Sequence, residues 1–252
     1  MAAYESFARV YDELMDDVPY DAWCSFLKDR LSEEGIRNGL ALELGCGTGR
    51  MMERMAEAGY DMIGVDSSLD MLQIARERAG SLPCSLLYLH QDMREFELYG
   101  TVGTVFSICD SVNYILDPEE LTQVFRLVSN YLDPGGIFLF DFNTEHKYRD
   151  VMGETTIAED REDVSFIWYN EYDREEHLNY IDLNVFVKEE GDLYRKFTEQ
   201  HVQRGYELEE MKRLIEESGL AFLAAYDDYT LKPAGPDSER IVILAREQLK
   251  GV

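Results

Sequence analysis

The stretch that most constrains the fold is Leu40-Ala-Leu-Glu-Leu-Gly-Cys-Gly-Thr-Gly-Arg50. Leu40 to Leu44 is apolar except for Glu43 and reads as a strand buried on both faces, as in a parallel sheet. Gly45, Gly47 and Gly49 follow at alternate positions. Glycine permits positive φ and lets a ligand lie against bare backbone. Met51, Met52, Met55 and Ala56 then recur at roughly helical spacing, and Gly59 supplies a stop. Strand, glycine loop and helix form the unit of an open α/β sheet, and small molecules sit at that junction.

The spacing narrows the ligand. A dinucleotide loop reads G-x-G-x-x-G, and its third glycine lets the helix pack closely on the strand. Here the loop is G-x-G-x-G, with Arg50 in the place of that third glycine. An NAD(P)-dependent oxidoreductase is therefore the weaker alternative. Glu43 is costly to bury unless it meets a cation or hydrogen-bond donors, and an ammonium or sulfonium would serve. Asp61 to Asp66 reads as a second strand ending in an acid, 17 positions beyond Gly49. A carboxylate there can accept two hydrogen bonds from a ribose diol. Ser67-Ser-Leu-Asp70 is a capping box for a helix from Leu69 to Arg78; with Ser67 as its cap, Asp66 is left for the ligand.

ELGCGTG, Glu43 to Gly49, resembles motif I of the class I S-adenosylmethionine (SAM)-dependent methyltransferases, and later segments match in order. The resemblance implies a three-layer Rossmann-like methyltransferase fold of the small-molecule type, with a seven-stranded, mostly parallel sheet whose last strand, Ile241 to Arg246, is antiparallel. It implies that Glu43, Gly45, Cys46, Gly47 and Gly49 cradle SAM, with Asp66 and Ser67 at the sugar. Asp92 would accept from the adenine amino group, and the backbone of Met93 would meet the ring edge. Asp110, counted with the cofactor contacts, and Asn113 and Tyr114 follow the fourth strand, where the family places residues facing the methyl group and the acceptor. They could equally end the strand and cap the next helix. Tyr11 and Trp23 would touch SAM from an N-terminal cover, residues 1–39, or pack the N-terminal helices on the sheet. Cys46 fits a small loop-filling residue better than a reactive thiol.

Residues 144–206 break the α/β alternation. Val164 to Tyr172, Leu178 to Val187 and Leu193 to Val202 alternate with period two and predict a three-stranded antiparallel insert, either a substrate lid or a dimer surface. The methyltransferase domain is then 1–143 plus 207–252. In the insert His201 is a candidate base and Arg204 a candidate carboxylate clamp. Alternation puts His201 on one face and Arg204 with Tyr206 on the other. A solvated strand face is the plainer reading of that stretch.

A net charge of −27 repels phosphate backbones, so the expected partner is a small-molecule methyl acceptor and not nucleic acid. The chain shows no signal peptide and no run of 18 apolar residues, which predicts a cytoplasmic protein, monomeric or homodimeric, with no membrane partner. Cys24, Cys46, Cys84 and Cys109 lack metal spacing and read as reduced thiols, with no metal site. Methyl transfer from SAM to an amine or hydroxyl is the expected reaction. A SAM-binding protein without catalysis is the alternative from another class.

Overall fold

The computed structural model describes residues 3–80, 86–248 and 250; Cys84 lies outside them. Two N-terminal helices, α1 (Ala3–Leu14) and α2 (Tyr20–Glu33), precede β1 (Gly39–Leu44) and α3 (Arg50–Glu57). Then come β2 (Tyr60–Asp66), α4 (Leu69–Ala79), β3 (Leu87–His90), β4 (Val102–Ser107), α5 (Pro118–Tyr131) and β5 (Leu132–Asn143). After the insert the chain returns through α6 (Leu208–Glu217), β10 (Leu220–Asp227) and β11 (Arg240–Glu247). The main sheet has the order β10-β11-β5-β4-β1-β2-β3. Only β11 runs against its neighbours, pairing antiparallel with both β5 and β10. The seven-stranded sheet with an antiparallel last strand is thus as expected.

Both faces of the sheet are covered, which is why its strands are apolar throughout. On β5, Phe138, Phe140 and Phe142 face a core shared with α5 and α6. Ile137 and Leu139 face the opposite core, shared with α2 and α3. Asp133 to Gly136 forms the start of β5, and the ladder with β4 shifts register between Val102 and Thr104. A bulge of this kind absorbs the extra residues without breaking the pairing.

The insert is four-stranded, not three-stranded: β6 (Thr156–Asp160), β7 (Val164–Asp173), β8 (Leu178–Lys188) and β9 (Tyr194–Arg204) pair antiparallel in that order. The unforeseen β6, Thr-Ile-Ala-Glu-Asp, is exposed at every position and so carries no buried alternation to read. Between β5 and β6 lies a π-helical segment, Lys147–Met152. The inner face of the insert packs on α1 through Val10, Val164, Ile181, Leu183 and Val185. Helix α1 therefore roofs the space between sheet and insert. No helix among the described residues is long and apolar enough to cross a membrane.

Candidate active site

One cavity of about 670 Å³ runs from the tips of β1 and β2 to the inner face of the insert. At the sheet end the glycine loop forms its floor. Gly45 has φ +72°, and a Cβ there would stand 2.6 Å from Ser111 Oγ. Gly47 has φ +51° with open space where its Cβ would be. Gly49 does not line the cavity; a Cβ there would meet Tyr88 Oη at 2.7 Å, so this glycine admits a packed tyrosine and not a ligand.

Glu43 reaches the same space from β1. It is 2% exposed, and its Oε2 has no hydrogen-bond partner. Burial, with Asp66 nearby, pushes its carboxyl well above the usual carboxylate range. Asp66 is not left idle by a neighbouring cap. Its Oδ2 accepts from the Gly47 N–H at 2.7 Å and its Oδ1 from the Ser68 N–H at 2.8 Å. The helix cap is Ser68, whose Oγ accepts from Met71 N; Ser67 lines the cavity instead. A carboxylate has about four lone-pair sites, so Asp66 keeps acceptor capacity. Asp92 and Met93 line the same end. A bidentate Arg94 holds the Asp92 carboxyl below its ordinary value. Tyr11, Leu14 and Met15 cover the cavity, Tyr11 on the side of Cys109, Asp110 and Tyr114. Helix α1 is tied down by Asp12, which accepts from Thr48 Oγ1 at 2.7 Å and pairs with Arg50 and Arg78.

The other end is built from distant parts of the chain. Asp110 (φ 51°) follows β4 and pairs with Arg240 at 2.7 Å, while its Oδ2 accepts from Gln203 Nε2 at 2.8 Å. Burial alone would raise Asp110; the Arg240 charge, the hydrogen bonds from Gln203 and Arg240, and the Lys147 charge together outweigh it and hold the carboxyl down. Arg240 also grips Asp141, which accepts from Tyr229 Oη. Tyr114 Oη lies 3.4 Å from His201 Nδ1, and both line the cavity. Burial lowers the His201 pKa, which keeps the imidazole neutral near pH 7.

Residues 41–136 match the profile of a methyltransferase domain. Over 245 residues, 97% of either chain, the sequence is 35% identical to the putative methyltransferase YqeM of Bacillus subtilis. A SAM-dependent methyltransferase from Clostridium acetobutylicum superposes with a TM-score of 0.89 at 29% identity, covering 98% of this chain and 100% of that one. The chain belongs to the SAM-dependent methyltransferase family. CcbJ of Streptomyces caelestis, at 23% identity and TM-score 0.82 over 96% of both chains, shares the fold. A Streptomyces venezuelae dTDP-3-amino-3,4,6-trideoxy-α-D-glucopyranose N,N-dimethyltransferase is 33% identical over 123 residues, 48% of this chain and 50% of that one.

The methyltransferase's cavity fits SAM by the chemistry of its walls. An orphaned carboxylate oxygen on Glu43 suits a cation, bare backbone at Gly47 suits close approach, and Asp66 at the β2 tip suits a diol. Three other expected site residues lie elsewhere. Trp23 is packed in the core, stacked on Tyr229 at 4.3 Å with Arg240 over its ring. Asn113 is fully buried, and its amide stitches the segment after β4 to the Asn143 backbone and to the Arg204 carbonyl. Arg204 points away from the cavity, against Tyr206, the Glu176 carbonyl and Glu210, as the strand alternation with His201 requires. No sequence motif singles out Lys147, Tyr148, Gln203 or Arg240, yet all four line the cavity. They come from three separate places in the chain, and the two prolines and the glycine before Arg240 mark only a hairpin.

Proposed function

We propose that this enzyme methylates a nitrogen of a small-molecule acceptor held between the main sheet and the insert. The carrying observation is that one cavity joins the glycine loop, Glu43, Asp66 and Asp92 to His201 and Tyr114. In this reading Asp66 holds the ribose, Asp92 and Met93 the adenine, and Glu43 with the Gly45–Gly47 backbone the amino-acid tail. Bound there, SAM supplies a methyl group already activated on its sulfonium. The chain's task is then alignment, which in favourable cases lowers a barrier by about 7–11 kcal/mol. An amine needs no strong base before it attacks. Neutral His201, oriented by Tyr114, is placed to take the proton that the methylated amine sheds. The amine class is supported by the sugar N,N-dimethyltransferase among the relatives. Residues 144–206 act as the substrate lid.

The test is incubation of the protein with SAM and a panel of amino sugars, aryl-alkyl amines and their hydroxyl counterparts, with S-adenosylhomocysteine (SAH) and methylated product read by mass spectrometry. Amine turnover is expected. SAH formed only with hydroxyl acceptors would reverse the acceptor assignment, and failure to bind SAH would remove the site assignment.

A further inference from the structure

The acceptor end of the cavity contains an ammonium that makes direct contact with no carboxylate among the described residues. Lys147 opens the π-helical segment, whose i→i+5 closure is seen in the Gly153 N–H to Tyr148 carbonyl bond of 2.8 Å. Such windings concentrate at functional sites. Here the wide turn carries Lys147, Tyr148 and Met152 to one cavity wall. The Lys147 ammonium donates to Asn143 Oδ1 at 3.0 Å, an uncharged oxygen. Among the described residues it makes no ion pair.

The surrounding network explains why. Asn143 spends its Nδ2 on Tyr148 Oη, and Tyr148 donates to Gln203 Oε1. Gln203 in turn donates to Asp110. Of the three carboxylates near it, Asp110 is taken by Gln203 and Arg240 and Asp141 by Arg240 and Tyr229, while Glu239 is solvent-exposed. The relay fixes the Asn143 amide so that only its carbonyl oxygen faces the lysine. An ammonium has three donors and no acceptor, so at least two N–H groups are available to a ligand. Burial, then the Arg240 charge, lowers the Lys147 pKa against the opposing pull of Asp110, Glu239 and Asp141. A second donor lines the same cavity: the Trp168 indole N–H is buried and has no partner. Beside it on the insert's inner face stand Phe166, Ile181 and Leu183.

We propose that the methyl acceptor carries an anionic group, carboxylate or phosphate, that docks on the Lys147 ammonium, with an apolar body against Phe166, Trp168, Ile181 and Leu183. This rests on the acceptor lying in the cavity as proposed above. The anion contact has to be local. The chain's −27 net charge repels anions at long range and is screened beyond about 10 Å at 0.1 M salt. The position of Lys147 also separates it from the cofactor end: it follows β5, two strands from β1 in the sheet order.

The experiment is calorimetric titration of SAH-saturated protein with three probes of one skeleton: 3-phenylpropanoate, 3-phenylpropyl phosphate and uncharged 3-phenylpropanol. At least one anion is expected to bind about tenfold or more tighter than the alcohol, the usual scale of a hydrogen bond to a charged group. Which anion wins distinguishes a carboxylate from a phosphate acceptor. In Lys147→Met the preference disappears, in Lys147→Arg most of it survives, and SAH affinity stays the same in both. The proposal is overturned if the alcohol binds as well as the anions, if the preference survives in Lys147→Met, or if no probe binds while SAH does. Loss of SAH affinity in Lys147→Met would overturn it too, by moving the lysine to the cofactor. Absence of SAH binding in the unmodified protein would instead strike the proposed function.

Discussion

The two ends of the cavity are made in different ways. The cofactor end comes from contiguous sequence: a strand, its glycine loop and the tip of the next strand, with the Gly45 N–H bonded to the Val65 carbonyl and the Gly47 N–H to the Asp66 carboxylate. Its geometry is set by main-chain hydrogen bonds and positive-φ glycines, which tolerate little change. The acceptor end is a meeting of the segment after β4 with β5, β9 and β11; β5 and β11 share a ladder, but the insert strand β9 is tied in by side chains, through Asp110, Asn143, Tyr148, Gln203 and Arg240. Its shape follows from side-chain chemistry, which can vary without disturbing the ladder. In the proposed reading, local backbone structure thus fixes what is common to the reaction, and long-range side-chain assembly fixes what is particular to the acceptor.

This contrast can be broken by experiment. The largest effect is expected outside both ends. Trp23→Ala should cost about 3–5 kcal/mol of stability, as buried aromatic truncations do, with the folded fraction keeping its SAH affinity. Denaturant melts with and without SAH read both; a loss of affinity with full stability would return Trp23 to the cofactor. Asp66→Ala should weaken SAH binding by about 1.5–3 kcal/mol, the worth of hydrogen bonds to a charged group, and calorimetry showing unchanged affinity would remove Asp66 from the sugar.

At the acceptor end, His201→Ala should lower kcat by about tenfold, less than full general-base catalysis because an amine attacks unaided. SAH affinity should not change. Its pKa lies below the ordinary 6.5, so the wild-type rate should hold down to that pH and fall beneath it, and the variant's profile should be flat there. An equal fall in SAH affinity would show the two ends to be one unit.

The smallest effect concerns Glu43. Its folded pKa is raised above the ordinary 4.5, so its contribution to stability is fully present below pH 4.5 and is lost as pH rises through the folded value. Glu43→Gln should remove that loss, stabilising the ligand-free protein by about 1 kcal/mol near neutrality while weakening SAH binding. Thermal melts across pH check the sign. A variant less stable than wild type at pH 8 would mean that Glu43 is ionised and paired.

The same contrast explains what the sequence disclosed. The cofactor end was legible because each element writes its own signal within about ten residues: apolar run, alternate glycines, terminal acid. The antiparallel strand near Ile241 was equally plain, since a short apolar run is a local signal. At the acceptor end, β6 is exposed throughout and gave no alternation. Trp23 and Asn113 were polar or aromatic enough to suggest a ligand, yet tertiary packing claims both. Lys147 and Arg240 looked like ordinary surface cations, because nothing nearby in sequence says that the chain folds them inward. Ser67 and Ser68 show the limit on a finer scale: a capping box one residue off changes which groups Asp66 serves.

Strand β5 ends at Asn143, and its final residues mark a seam. In the proposed reading, everything that recognises the methyl donor precedes it, the α1 roof included, and most of the acceptor wall comes after it. A library of variants confined to positions 147–203 would therefore reshape the acceptor wall while leaving the donor cradle's own backbone bonds untouched. New acceptors could be sought on this scaffold without rebuilding the half that handles the donor.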